Sequence, residues 1–196
     1  MLNLESIQKQ VLQSDKIRIL GGKSQVKTPE TEDSAYLLNM SQYSGVVEYY
    51  PEELVITVKA GTLIKQLNEI LSEKKQSTSF LLASNENSTI GGAYAMGNSD
   101  LRDAVLGIKI IDGQGRVLSF GGQVMKNVAG YDVARLLSGS KGKMAIICEI
   151  SFKVIPINYV KKTIREINSN IKSNSKIKLQ LENNIKNIFD PSGIFI

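Results

Sequence analysis

Apolar positions along this chain fall into short blocks whose spacing switches between helical and extended. Leu4, Ile7, Val11 and Leu12 lie on one face of a helix predicted over Leu2 to Leu12. Ile17 to Leu20 predicts a first strand, and the polar stretch Thr28 to Ser34, with Pro29, predicts a loop. Tyr36 to Met40 and Val46 to Tyr50 predict strands, and Leu54 to Val58 alternates more clearly as another. Gly61 breaks that pattern before a helix over Leu63 to Leu71, with Leu63, Leu67, Ile70 and Leu71 on its inner face. Val105 to Ile111 and Val117 to Phe120 flank Asp112-Gly113-Gln114-Gly115 as a hairpin. Val133, Leu136 and Leu137 predict a short amphipathic helix, and Met144 to Ile155 a long buried strand stopped by Pro156. Hairpins mixed with helices, without regular strand–helix alternation, argue for an α+β fold.

Composition narrows the picture. The 196 residues fit one domain, with room for two lobes. A content of 42% hydrophobic and 22% charged residues is ordinary for a soluble globular protein with a sizeable core. The net charge of +5 is a mild excess from scattered lysines, with no aromatic–basic stripe, so no nucleic-acid surface is expected. Cys148 is the one cysteine, inside the apolar run Met144 to Cys148. It reads as a buried core thiol with neither a disulfide partner nor a metal cluster, which suits a reducing cytoplasm. There is no apolar run of about 18 residues and no signal-peptide pattern, so neither a membrane span nor export is expected. With no histidine in the sequence, an imidazole general base and an imidazole metal site are both excluded.

The candidate chemistry lies in three glycine-centred loops. The first strand runs directly into Gly21-Gly22-Lys23-Ser24-Gln25, where successive backbone N–H groups can converge on an anion. Ser88-Thr89-Ile90-Gly91-Gly92, continuing through Gly97-Asn98, opens with Ser88 as an N-cap type. A helix starting there offers unpaired N–H donors and a favourable dipole for phosphate. The third stretch, residues 119–156, places Gly121-Gly122, Gly130, Gly139 and Gly142 around the short helix and ahead of the long strand. Each loop alone is equally well read as an ordinary turn, and Ser88-Thr89 as a plain helix cap. Together they suit a flat, phosphate-bearing cofactor lying against main chain. Other nucleotide motifs fail. No Gly-x-Gly-x-x-Gly follows a strand, and Lys141-Gly142-Lys143-Met144 lacks both the upstream glycine and the Ser or Thr of a phosphate loop.

The order GGKS, STIGGAYAMGNS, DAVLGIKIIDGQGRV, NVAGYDVARLLSGSKGKMAII resembles the vanillyl-alcohol-oxidase, or PCMH-type, FAD-binding domain family. Within it the chain is most similar to the FAD-binding subunits of bacterial glycolate oxidase (glycolate dehydrogenase). FGGQVMKNVAGYDVARLL is the most specific stretch, and IKNIFDPSGIF resembles the segment that returns to the flavin domain. The resemblance implies a two-lobed PCMH-type domain over residues 1–156, with lobes of about 1–58 and 59–156. The substrate or cap domain is then largely missing, leaving a short remnant at 157–178 and a return segment at 179–196. It implies that Gly21, Gly22, Lys23, Ser24 and Gln25 wrap the FAD pyrophosphate from the first lobe. Thr89, Gly91, Gly92 and Gly97, with Ser88 as cap, do so from the second, while Gly142 and Ile147 approach the flavin nucleotide. Lys126, Tyr131, Asp132 and Arg135 are the polar groups nearest the flavin edge, and the resemblance assigns no catalytic residue. Lys23 stands where relatives usually have a third glycine, and Lys141-Gly142-Lys143 where they tend to have Glu-Gly-Thr, so both departures add positive charge. A histidyl-linked flavin is impossible here. The implied role is the FAD-binding subunit of a heteromeric complex with a larger FAD-containing subunit and an iron–sulfur subunit. That complex would oxidise glycolate or a related 2-hydroxy acid and relay electrons onward, in the cytoplasm or at the inner face of the membrane. Two alternatives stay open: a non-catalytic scaffold with lost or optional FAD, and a small stand-alone FAD oxidoreductase.

Overall fold

A central strand with two apolar faces organises this chain, whose computed structural model describes residues 2–22, 34–83, 85–124, 131–159 and 175–196. The elements in order are α1 (Leu4–Gln13), β1 (Ile17–Leu20), β2 (Tyr36–Asn39), β3 (Val46–Tyr50), β4 (Val55–Lys59), α2 (Ile64–Glu73) and β5 (Gln76–Ser77). They continue through α3 (Ile90–Ala95), α4 (Ser99–Ala104), β6 (Val105–Ile111), β7 (Val117–Gly121), α5 (Val133–Leu136), β8 (Ile146–Lys153), β9 (Ile155–Pro156) and α6 (Ser175–Phe189). Strand β8 sits in the middle of an antiparallel five-stranded sheet of order β3-β4-β8-β6-β7. Every residue from Ile146 to Phe152 is buried, as expected of a strand paired on both edges and packed on both faces.

The two faces of that sheet serve two cores. Ile147, Ile150 and Phe152 join Ile56, Val58, Leu67, Leu71 and Tyr94 in the larger one. Ile146 and Cys148, with Ile111 of β6, join Ile7, Val11, Ile17 and Leu38 in the smaller one. The smaller core is capped by α1 and by the parallel pair β1–β2. Helix α1 is started by a capping box in which the Asn3 side chain accepts from the Ser6 N–H at 2.8 Å and the Ser6 hydroxyl accepts from the Asn3 N–H at 3.0 Å.

Several expected boundaries move, each for a local reason. Strand β4 pairs with β8 and β3 with β4, so the segment 46–59 belongs to the large sheet and no division between sheets falls near residue 58. The long strand splits where the Val154 N–H donates to the Leu54 carbonyl at 2.8 Å, and β9 crosses to pair with β5. Strand β2 stops at Asn39 because its side chain turns back to cap a short 3-10 turn over Met40–Gln42. Helices α4 and α6 occur where the apolar spacing predicts none. Helix α4 is started by Asn98, which accepts from the Leu101 N–H at 2.9 Å. Helix α6 runs through the boundary expected at residue 178, its Lys- and Asn-rich exposed face having diluted the apolar period. The expected loop at 28–33 and most of the segment 157–178 lie outside the described residues.

Buried carboxylates tie the ends together. Asp112 accepts from the Gln114 and Arg116 N–H groups at 3.0 and 2.9 Å and so closes the expected hairpin. Asp190 accepts from the Ile194 and Phe195 N–H groups at 2.8 and 3.0 Å and from the Lys186 ammonium at 2.9 Å. Phe195 is thereby set beside β1, where it bridges Ile17.

Two outcomes follow from this packing. Phe152 is fully buried edge-to-face on Phe80 at 5.2 Å, so Phe152→Ala should cost ~3–5 kcal/mol in a urea unfolding experiment. Burial first, and the Glu149 carboxylate next, push the Cys148 thiol from its ordinary 9.0 up to about 12. The folded protein at pH 8 should therefore resist a disulfide-exchange reagent until it is unfolded. Because the folded value is the higher one, the Cys148 contribution to stability is complete below about pH 9 and lost as pH rises from there toward 12. Alkaline unfolding curves check the sign: the stability of wild type relative to Cys148→Ala should fall between about pH 9 and 12 and change no further above that window.

Candidate cofactor site

The three glycine-centred loops meet. A Cβ placed on Gly21 would lie 2.8 Å from the Thr89 hydroxyl oxygen, so the first loop lies against the second with no side chain between them. The Lys141 N–H donates to the Ala95 carbonyl at 2.9 Å and the Gly139 N–H to the Tyr94 carbonyl at 3.0 Å, joining the third loop to the end of α3. Gly142, with φ +76°, closes the ring by presenting its Cα to Ile19 of β1. Between them lies a narrow cleft of about 100 Å³.

Of the expected site residues, Gly21, Gly22, Thr89, Gly91, Gly92, Gly142 and Ile147 line this cleft together. Lys23, Ser24 and Gln25 lie outside the described residues. Ser88 and Gly97 do not line it. Ser88 is buried, with its carbonyl accepting from the Ile64 N–H at 2.9 Å. Gly97, at φ +82°, forms the turn after α3 and backs onto Gly139. The N-cap of α3 is Thr89 and not Ser88: its hydroxyl accepts from the Gly92 N–H at 3.1 Å.

The first turn of α3 departs from expectation in a second way. Its amides were expected to be unpaired, yet the Ile90 N–H donates to the Thr62 carbonyl and the Gly91 N–H to the Ala60 carbonyl, at 2.9 and 2.8 Å. With the Gly92 N–H already given to Thr89, this turn offers a ligand close approach and a threonine hydroxyl proton, not a row of open donors. The long side of the cleft is apolar, built by Ile19, Leu20, Met40, Ala60, Ala145 and Ile147. Sequence reasoning missed Met40, Ala60 and Ala145, whose only signal was smallness or polarity suited to any core. Lys141 stands at the rim, exposed, with φ +55°, a left-handed conformation costing a non-glycine residue ~1–2 kcal/mol. An apolar wall, main chain bare of side chains and a lysine at the mouth suit the chemistry of a flat, phosphate-bearing cofactor, of which a space of about 100 Å³ takes one part.

Of the four polar groups expected near a flavin edge, Asp132 and Arg135 partner each other. Asp132 caps α5 by accepting from the Arg135 N–H at 3.0 Å and pairs with the Arg135 guanidinium at 3.1 Å on the surface. Tyr131 is 97% exposed, and Lys126 lies outside the described residues. Tyr94 donates its phenol proton to the Ala134 carbonyl, tying α3 to α5, and burial with the nearby Asp132 charge pushes that phenol well above its ordinary value. Among the described residues no group of three or more carboxylate, thiol or imidazole side chains could hold a metal. No helix among them is long and apolar enough to cross a membrane.

Comparison with known proteins places the chain in a family. A family model described as an FAD binding domain matches residues 7–121. The chain is similar to glycolate oxidase subunit GlcE of Escherichia coli (strain K12), 41% identical over 132 residues, which cover 61% of this chain and 37% of that protein. It is 30% identical over 155 residues to glycolate oxidase subunit GlcD of Bacillus subtilis (strain 168), covering 74% of this chain and 32% of that one. It thus spans about a third of the length of these curated relatives. A mitochondrial D-lactate dehydrogenase [cytochrome] of Arabidopsis thaliana is 29% identical over 125 residues, covering 60% of this chain and 22% of that protein. A solved structure of alkyldihydroxyacetonephosphate synthase superposes with TM-score 0.62 at 20% identity, covering 78% of this chain and 29% of that one, which shows the shared PCMH-type fold. With a family model matched over more than half its length and its glycine loops gathered on one cleft, the chain belongs to the FAD-binding domain family, whose cofactor is FAD.

Proposed function

We propose that this chain is the FAD-binding subunit of a heteromeric 2-hydroxy-acid oxidoreductase of the glycolate oxidase type. The observation that carries this reading is the convergence of Gly21-Gly22, Thr89-Gly91-Gly92 and Gly142-Ile147 on one cleft, in a chain 41% identical over its matched part to a glycolate oxidase subunit. Residues 1–156 form the cofactor domain, with 157–178 standing where relatives carry a substrate domain and 179–196 returning beneath it. Bound FAD supplies two-electron redox chemistry for oxidation of glycolate, or a related 2-hydroxy acid, to the 2-oxo acid. The chain's own residues bind and orient it. Ile19, Met40, Ala60 and Ile147 bury a flat ring, Gly21 and Gly92 let the diphosphate approach main chain, and the Thr89 hydroxyl and Lys141 ammonium meet its charge. Lys23, Ser24 and Gln25 complete the first loop by the same reasoning, with Gly97 and Ser88 supporting the second from behind.

A larger FAD-containing subunit supplies the substrate pocket in this reading, and an iron–sulfur subunit accepts the electrons, in the cytoplasm or at the inner face of the membrane through the complex. The engagement of the Ile90, Gly91 and Gly92 amides within the protein favours a second reading, a scaffold that keeps the fold with FAD optional.

Two experiments separate them. The complex purified with its partner subunits should carry about one equivalent of flavin in this chain, seen as the yellow absorbance of the subunit after separation; a folded, colourless subunit overturns the cofactor role. Gly21→Val and Gly142→Val place a branched side chain at the loop contact and at a positive-φ site, and each should lower flavin occupancy about tenfold or more while the subunits still assemble. Undiminished turnover with glycolate in both variants would favour the scaffold.

A further inference from the structure

Lys141 lines a second cleft as well, of about 750 Å³, between β1, the turn at 139–144, α6 and the last residues of the chain. Its volume lies in the range of small-molecule sites, roughly 300–1,000 Å³. Five cations line it, Lys16, Arg18, Lys141, Lys143 and Lys186, against the one carboxylate of Glu182. Three of these charges are engaged within the protein: Arg18 has an interaction of its own, Lys186 pairs with Asp190 at 2.9 Å and Glu182 with Lys178 at 3.8 Å. The Lys16 ammonium donates to the Gly193 carbonyl at 2.8 Å, which fixes its place on the wall without cancelling its charge. Among the described residues, no ion pair or hydrogen bond takes the ammonium of Lys141 or of Lys143, so their positive charge stays in the cleft. A second observation points the same way. Ser140, between the two glycines of the turn, is 7% exposed, and its buried hydroxyl has no hydrogen-bond partner among the described residues. Such a hydroxyl is costly unless something accepts from it. Met144, Leu179 and Phe195 give the wall an apolar part, beside the polar Ser34 and Asn183.

We infer that this cleft is a separate binding site for a nucleoside phosphate, beyond the proposed cofactor role. Lys141 and Lys143 of the turn and Lys16 just ahead of β1 meet the phosphate charge, the Ser140 hydroxyl donates to a phosphate oxygen, and the apolar part of the wall takes the base. Lys141 belongs to both clefts, so occupancy of one bears on the other through a shared side chain and turn. The same chemistry is carried by the adenosine diphosphate half of FAD, and the test distinguishes that source from a free nucleotide.

ADP is titrated by calorimetry against the purified protein at low salt, with and without saturating FAD. Adenosine serves as the phosphate-free control. The expected result is about one equivalent of ADP bound in the presence of FAD, with adenosine about tenfold weaker or worse. Lys143→Glu should weaken ADP about tenfold, and Lys143→Gln by less, with melting temperature and flavin occupancy unchanged in both. Lys143 lines only the second cleft and its side chain is exposed, so these variants leave the cofactor walls intact. Displacement of ADP by FAD would place the phosphate in the cofactor cleft and overturn the inference. So would ADP binding that Lys143→Glu leaves untouched, or no ADP binding at all. A protein that takes up no flavin fails the proposed function, yet its ADP titration still decides this site.

Discussion

At Ala60-Gly61-Thr62, just past the end of β4, four parts of the chain are held within main-chain hydrogen-bonding distance. The Ala60 N–H donates to Cys148 of β8 at 2.7 Å, the Gly61 N–H to Tyr43 in the turn beyond β2 at 2.8 Å, and the Ala60 and Thr62 carbonyls accept the first amides of α3. A Cβ at Gly61 would overlap the Met40 carbonyl, so only glycine lets the small core's turn close onto the large sheet. The cofactor cleft is the space left beside this junction. Met40 and Ala60 line it because the junction brings them there, and Gly91 lines it because α3 starts against Ala60.

The same junction carries a polar seam between the two cores. Glu149 is buried on β8, held by the Lys109 ammonium at 2.7 Å and by the Tyr43 phenol, which donates to it at 3.1 Å. The Lys59 ammonium sits 5.0 Å from the Tyr43 ring centre. Burial and then the Glu149 charge push the Tyr43 phenol well above its ordinary value, so it remains a hydrogen donor across the working pH range. A paired carboxylate with two cations and a phenol around it orients the turn at 40–43 relative to the sheet. Apolar contact alone would allow it to slide.

Charge is distributed with the same economy around the clefts. The expected phosphate donors of α3 are used to attach that helix to the sheet, so positive charge for an anion comes from side chains of the third loop and β1. Of the two departures that the family resemblance implies, the Lys141-Gly142-Lys143 run falls in a loop bearing on that charge, and Lys23 lies outside the described residues. At Lys141 the chain accepts an unfavourable backbone conformation where glycine would relieve it, which holds its side chain at the mouth of both clefts.

Periodicity and turn chemistry are local properties, and where they governed, the sequence was sufficient. The strands Ile17–Leu20 and Val105–Ile111 occur with the expected bounds, and the hairpin closed by Asp112 was legible from its glycines. No single glycine-centred loop announced its neighbours, since each alone reads as an ordinary turn; it was the order of all three, through the family resemblance, that implied they lie together. What the sequence left open was decided by partners far away in the chain. Ser88 and Thr89 are equally good caps in isolation, and it is the bridge of Thr89 to Leu63 that makes Thr89 the one that caps. The amides of α3 looked free because Ala60 and Thr62, which accept them, are about thirty residues earlier. The place of β4 in the large sheet rests on its pairing with β8, nearly a hundred residues on, and β3 joins through β4. Spacing along a chain records which face of an element is apolar, but not which distant carbonyl will take a given amide. That choice is made only when the elements pack.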